Sequence, residues 1–250
     1  RNKTGKQLSR VLAAGDRAAL GEETFSKTSI AVQGLPALER LLADGHQGFD
    51  GAADSFKCAL TETIAHNLGR ITSDLSAEWN PQDGYAHIIS MAGTQGSPYS
   101  EVREVPVELM QGLIAELEAS HDIRLGRPLG AAQEKARPKL AEAWRSGLSK
   151  AILLESVKSI ADIYRNGGLD QASREVGKTA LADRITAGFE NVIARAGALD
   201  QSLPEAFTTA QDREKLKAIR ADLKVLTDLL STDLAVALGI PPGFNSRDGD

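Results

Sequence analysis

The chain has 250 residues, with 29 Lys+Arg against 34 Asp+Glu for a formal net charge of −5, and is 42% hydrophobic and 25% charged. This is the make-up of a globular protein of one or two domains, not of a disordered chain. The acidic balance, with no Lys/Arg run, argues against nucleic acid or an anionic membrane surface as a partner. Aromatics make up only 4%, Ala and Leu abound, and β-branched runs are scarce, so helices are favoured over sheets.

A helix is predicted from Thr4, as cap, to about Ala14, with Gly15 as its stop. Pro36 suits the first turn of a second helix that runs to about Asp44 and ends at Gly45. Phe56, Leu60, Ile64, Leu68, Ile71 and Leu75 recur at steps of three and four, which predicts a long amphipathic helix ending near Trp79-Asn80-Pro81. Residues 82–100 are rich in Gly, Ser and Pro and read mostly as loop. Pro106 opens a helix carried by Val107, Met110, Leu113, Ile114 and Leu117 to about His121.

Gly126, Pro128 and Gly130 make residues 124–137 a connector and the expected domain boundary. Three further helices are predicted: Lys139 to Tyr164, Lys178 to Ala196 and Asp212 to Leu238. Nothing alternates with period two over a strand's length. The expected class is therefore all-α, with helical bundles at 1–123 and 124–250.

Two helices place polar residues where the period calls for apolar ones. In the last helix Leu216, Ile219, Leu223, Leu226 and Leu230 form a seam whose next step lands on Asp233. In the helix before Tyr164, the face of Trp144, Leu148 and Ala151 continues through Glu155, Ser159 and Asp162. A carboxylate on a buried seam is costly unless paired or bound to a cation. The plainer alternative is that both stripes emerge into solvent at the end of a bundle.

The single cysteine, Cys58, excludes an internal disulfide and any thiolate-rich metal site, and reads as a packed or half-exposed structural thiol. His46, His66, His87 and His121 include no pair three or four apart, so a helical zinc motif is absent. His66 falls opposite Ile64 and Leu68 and is expected to face solvent, and His46 lies in a loop. There is no Gly-x-Ser-x-Gly elbow and no phosphate-cradling Gly-rich loop followed by Lys-Ser/Thr. No uncharged apolar stretch approaches the roughly 20 residues of a membrane span. The chain opens Arg1-Asn2-Lys3 without an initiator Met or a signal-peptide core, which suggests a start inside a longer precursor.

Three blocks resemble the imelysin-like family: Gln33-Gly34-Leu35-Pro36-Ala37-Leu38-Glu39-Arg40-Leu41-Leu42, Ala136 through Trp144-Arg145-Ser146-Gly147 to Ser149, and Leu238-Gly239 through Gly243-Phe244-Asn245 to Asp248-Gly249-Asp250. The resemblance implies two four-helix bundles packed side by side, with a ligand or metal site in the cleft between them. It also implies that the first bundle lacks its leading helices here. Family members are bacterial periplasmic proteins, often lipid-anchored through a leader, and associated with iron uptake and with the partner proteins of an uptake system. They were first classed as metallopeptidases on a Gly-x-His-x-x-Glu motif. The matching positions here are Gly34, Pro36 and Glu39, so the histidine is replaced by proline.

Without that histidine, catalytic zinc is not expected, since such a site needs several good ligands and a base. The favoured expectation is a non-enzymatic binding or accessory protein, with a drifted metallopeptidase as the alternative. The resemblance makes Glu39 an oxygen ligand or orienting carboxylate, Arg145 and Ser146 ligand-holding groups, and Asn245 and Asp248 members of the C-terminal motif. The seam argument adds Glu155 and Asp233, with Glu39 and Asp233 as the metal-facing pair. An oxygen-only set suits iron(III) or another hard cation better than zinc.

Overall fold

A computed structural model describes residues 3–43, 52–80 and 82–240. The chain is all-α, and no strand occurs among the described residues. It divides into two compact units, Arg1–Ser90 and Met91–Asp250.

The first unit is built from short helices around one long one. α1 (Lys3–Ala14) ends at Gly15, whose φ of +59° supplies the left-handed stop expected there. A 3₁₀ turn (Arg17–Leu20), capped by the Asp16 carboxylate on the Ala18 N–H at 2.9 Å, leads into α2 (Glu22–Ser26). α3 (Leu35–Ala43) and α4 (Ala52–Glu78) follow, and α5 (Tyr85–Ser90) is a short helix in the stretch read mostly as loop.

Leu8, Phe25, Val32, Ala37, Leu41, Phe56, Leu60 and Ile64 form this unit's core. The α4 seam is buried only over its first half. Ile71, Leu75 and Trp79 are exposed, and the Trp79 ring meets Tyr85 edge-on at 5.1 Å.

The second unit is a ring of four long helices. The first is α6 (Glu104–Glu118), which continues through a π-helical stretch (Ala119–Gly126) into α7 (Arg127–Leu129). α8 (Ser149–Asn166) is followed by a short α9 (Leu169–Glu175), then by α10 (Thr179–Gly197). A single turn, α11 (Leu203–Ala206), carries a Ser202/Glu205 capping box and precedes α12 (Ala210–Asp228). α12 runs through a second π stretch (Leu229–Leu234) into α13 (Ala235–Ala237). Each long helix packs on its chain neighbours, and α12 returns to α6. One core lies inside, with Leu153, Ile185, Phe189, Leu216, Ile219 and Leu223 fully buried. At Gly188 a Cβ would sit 2.7 Å from Leu226, so α10 and α12 approach closely at that point.

Three expectations are corrected here. Residues 91–123, assigned from the sequence to the first bundle, pack in the second unit, where Met110, Leu113 and Leu117 join its core. Gly126 and Pro128 do not break the helix. The π stretch takes in Gly126, Pro128 sits in the first turn of α7, and Arg220 from α12 donates from Nε to the His121 carbonyl at 3.0 Å. Gly126 makes room for that guanidinium, since a Cβ would lie 3.0 Å from Arg220 Nη2.

The true stop is Gly130, with φ +64° and no space for a Cβ beside the Lys135 carbonyl. Finally, α8 begins at Ser149, ten residues after the expected Lys139. Pro138–Leu140 form a 3₁₀ turn, and Ala143 (φ +49°) and Gly147 (φ +72°) turn the chain before the helix starts.

Candidate functional site

The signature segment is held by its own polar groups. The Gln33 side-chain amide donates to the carbonyls of Thr28 at 2.8 Å and Ser26 at 3.2 Å, which fixes the turn that feeds α3. The Gly34 carbonyl then accepts from the Ala37 and Leu38 N–H groups, so Gly34 caps the helix and Pro36 fills its first turn. Gly34 has no positive φ, and a Cβ there would touch only Pro36 at 3.5 Å. The close backbone approach that a glycine permits is not what this position uses. Ala37 and Leu41 face the core, leaving Glu39 half-buried on the flank. Glu39 stands beyond the first turn, which holds no acidic residue, and the helix dipole fades within that turn.

From Gln33 a polar chain crosses to α4. Asn67 Nδ2 donates to Gln33 Oε1 at 3.5 Å, and Arg70 Nη2 donates to Asn67 Oδ1 at 3.2 Å. Arg70 Nη1 bonds Asp74 at 2.8 Å, and its Nε lies 3.8 Å from a Glu22 carboxylate oxygen on α2. Asn67 is 8% exposed and follows Leu60 and Ile64 on the α4 seam. It stands beside Leu68, where the apolar seam continues, so the period gives no sign of it.

In the second unit the predicted carboxylates lie away from the core. Glu155 has a side chain 68% exposed and pairs with Lys158 at 2.7 Å. The buried face of α8 is Leu153, Val157, Ile160, Ala161 and Tyr164, so the Trp144–Leu148–Ala151 stripe was extended along the solvent side. Asp233 has a side chain 47% exposed and lies 3.9 Å from Arg184. The π stretch at 229–234 adds one residue to the turn, which carries Leu234 into the core and Asp233 out of it. The burial argument that singled out both carboxylates therefore fails.

Arg145 lies over the Trp144 ring at 4.3 Å, with Lys139 5.5 Å from the same centroid. Ser146 Oγ donates to the Ala143 carbonyl at 3.1 Å within the turn.

The densest charge in this unit gathers at the first π stretch. Arg124 pairs with Glu116 at 2.6 Å and Glu142 at 2.9 Å, and His121 Nδ1 meets Asp122 Oδ1 at 2.7 Å. Deeper in, Arg213 is 3% exposed and has no carboxylate among its described partners. Its Nη1 donates to the Leu129 carbonyl, at 2.5 Å, and to that of Phe207, at 2.9 Å; Nη2 donates to that of Gly130, at 3.3 Å. These carbonyls end α7 and α11, where the helix dipoles are negative. Burial pushes the Tyr164 phenol well above its ordinary range.

Within either unit alone the predicted set is not assembled, because Glu39 belongs to the first and Arg145, Ser146, Glu155 and Asp233 to the second. His46, Asn245 and Asp248 lie outside the described residues. Among the described residues, no group of three or more His, Cys, Asp or Glu side chains is placed to hold a metal ion. No described helix is long and apolar enough to cross a membrane.

The fold and site together define an all-α protein with a closed four-helix ring and a separate unit carrying the Gly34–Pro36–Glu39 segment. The Imelysin family model matches residues 3–230, and the chain belongs to the imelysin family. Neither the curated proteins nor the solved structures contain a significant match.

Proposed function

We propose that this chain is a non-enzymatic binding or accessory member of the imelysin family. In this reading it works in the periplasm, tethered to a membrane by a lipid, and serves iron uptake by holding iron(III) or an iron complex. The observation that carries the reading is the proline at position 36, in the first turn of α3, where the Gly-x-His-x-x-Glu pattern of the resemblance has histidine. A proline offers no metal-binding nitrogen, and one acidic group three residues on does not make a catalytic zinc site. An iron complex arrives with most of its coordination already filled by its own chelator. Glu39, a half-buried carboxylate, is the hard oxygen group that this reading offers to such a complex.

Calorimetric titration of the wild type and Glu39→Gln with ferric citrate and with divalent metals tests this. Binding by the wild type, lost in the variant at unchanged melting temperature, supports the reading; equal binding in both removes Glu39 from the site. Chelator-sensitive cleavage of casein by the wild type would overturn the non-enzymatic assignment in favour of a metallopeptidase with another ligand set.

A further inference from the structure

The first unit contains a cavity of about 500 Å³. Leu20 and the buried Phe25 ring give one apolar wall, while Thr63, His66, Asn67 and Arg70 present polar groups from a single stretch of α4, with Glu22 at the rim. Two apolar and five polar residues line it, and its volume falls within the range of about 300–1,000 Å³ that small-molecule sites occupy. The geometry points to a binding site for a small carboxylate with an apolar body, held by Arg70.

The guanidinium is the key. Asn67 and Asp74 hold Nη2 and Nη1 at 3.2 and 2.8 Å, so the side chain is oriented before any ligand arrives. Its Nε edge faces Glu22 at 3.8 Å, beyond hydrogen-bond distance, and the Glu22 side chain is 82% exposed. Glu22 therefore occupies the carboxylate position loosely, and a ligand carboxylate can displace it to make the close fork that an arginine favours. The seated carboxylate would bring the ligand's body against Leu20 and Phe25, and His66 lines the same cavity.

Asn67 explains why α4 tolerates a buried amide. Gln33 of the signature segment holds it from the other side, so the cavity's floor is fixed to the turn that leads into α3. This site is separate from Glu39 and does not rest on the iron reading.

The test uses the intact chain and three probes of matched chemistry: benzoate, acetate and benzyl alcohol, followed by amide chemical-shift changes and by calorimetry. Benzoate should bind at least tenfold more tightly than acetate or benzyl alcohol, with shifts confined to residues near 20–25 and 63–70. Arg70→Gln should weaken benzoate at least tenfold, and Glu22→Gln should strengthen it several-fold by removing the internal competitor. Both side chains are substantially exposed, so circular dichroism should confirm unchanged folding in each variant. No benzoate binding by either the wild type or Glu22→Gln at 10 mM ligand (about −2.7 kcal/mol) would overturn the proposal. So would binding that Arg70→Gln leaves unchanged, or acetate and benzyl alcohol binding as tightly as benzoate.

Discussion

α4 and α12 each bring a polar residue to the edge of an apolar seam, and the two helices place it in opposite ways. On α12 the seam runs unbroken through Leu230, and the π stretch then shifts the register by one residue so that Leu234 replaces Asp233 against the core. On α4 the helix stays regular, Asn67 stays buried, and Gln33 and Arg70 satisfy its amide. A polar residue at the seam thus accompanies a change in helix register on α12 and a polar cavity on α4. Charge helps to separate the outcomes: a carboxylate is costlier to bury than an amide and is the one turned outward.

The largest effect expected from this comparison comes from deleting single residues of the last helix. Removing Lys217 rotates everything after it by about 100° and takes Ile219, Leu223, Leu226 and Leu230 off the core, so the second unit should lose its cooperative melt. Removing Thr232 takes out the extra residue of the π stretch and restores an α-helix with Leu234 still on the seam, so the loss should stay near 1 kcal/mol. Thermal unfolding of the two deletions, side by side, decides it. Equal damage would show that the π stretch does not act as a register shift.

Leu223→Ala and Leu75→Ala compare the two seams directly. Leu223 is fully buried and its truncation should cost about 2–5 kcal/mol by denaturant unfolding. Leu75 is half-exposed on α4, and its truncation should stay within about 0.5 kcal/mol. A cost at Leu75 as large as that at Leu223 would mean that the second half of α4 is covered.

The smallest effect concerns a carboxylate that stays inside. Asp212, near the start of α12, is held below its ordinary range first by the Lys215 ammonium at 2.9 Å and then by the Thr209 hydroxyl at 2.9 Å. A depressed carboxylate stabilises the fold above its unfolded pKa, and that stability is lost as pH falls through the lower folded value. Asp212→Asn should therefore flatten the acid limb of the stability profile below about pH 4 and leave its slope near neutrality alone. An identical acid limb in the variant would show that this carboxylate does not contribute.

The sequence was legible where period and punctuation agreed. Gly15 ended α1, Asn166-Gly167-Gly168 ended α8, and the Leu216–Leu230 seam lies buried as its spacing implies. It misled where a glycine or proline serves packing instead of a turn. Gly126 yields space to Arg220, which acts from almost a hundred residues away, and no local pattern shows that. Short segments such as α9 and α11 were missed because fewer than two turns display no period. The Arg70 cavity was hidden for a related reason. Leu20, Glu22 and Phe25 reach it from ahead of α3 and the other lining residues from α4, and no local pattern joins the two sets.

Trp79 and Trp144 are the chain's two tryptophans, and they fall one in each unit. Trp79 is half-exposed beside Tyr85, whereas Trp144 packs partly on the second core with Lys139 and Arg145 near its ring. The molecule thus carries a separate intrinsic fluorophore for each half. Trp144→Phe leaves an emission that follows the first unit alone, and Trp79→Phe leaves one that follows the second. Denaturation curves from that pair of variants would resolve whether the halves melt together or in sequence, without any added label.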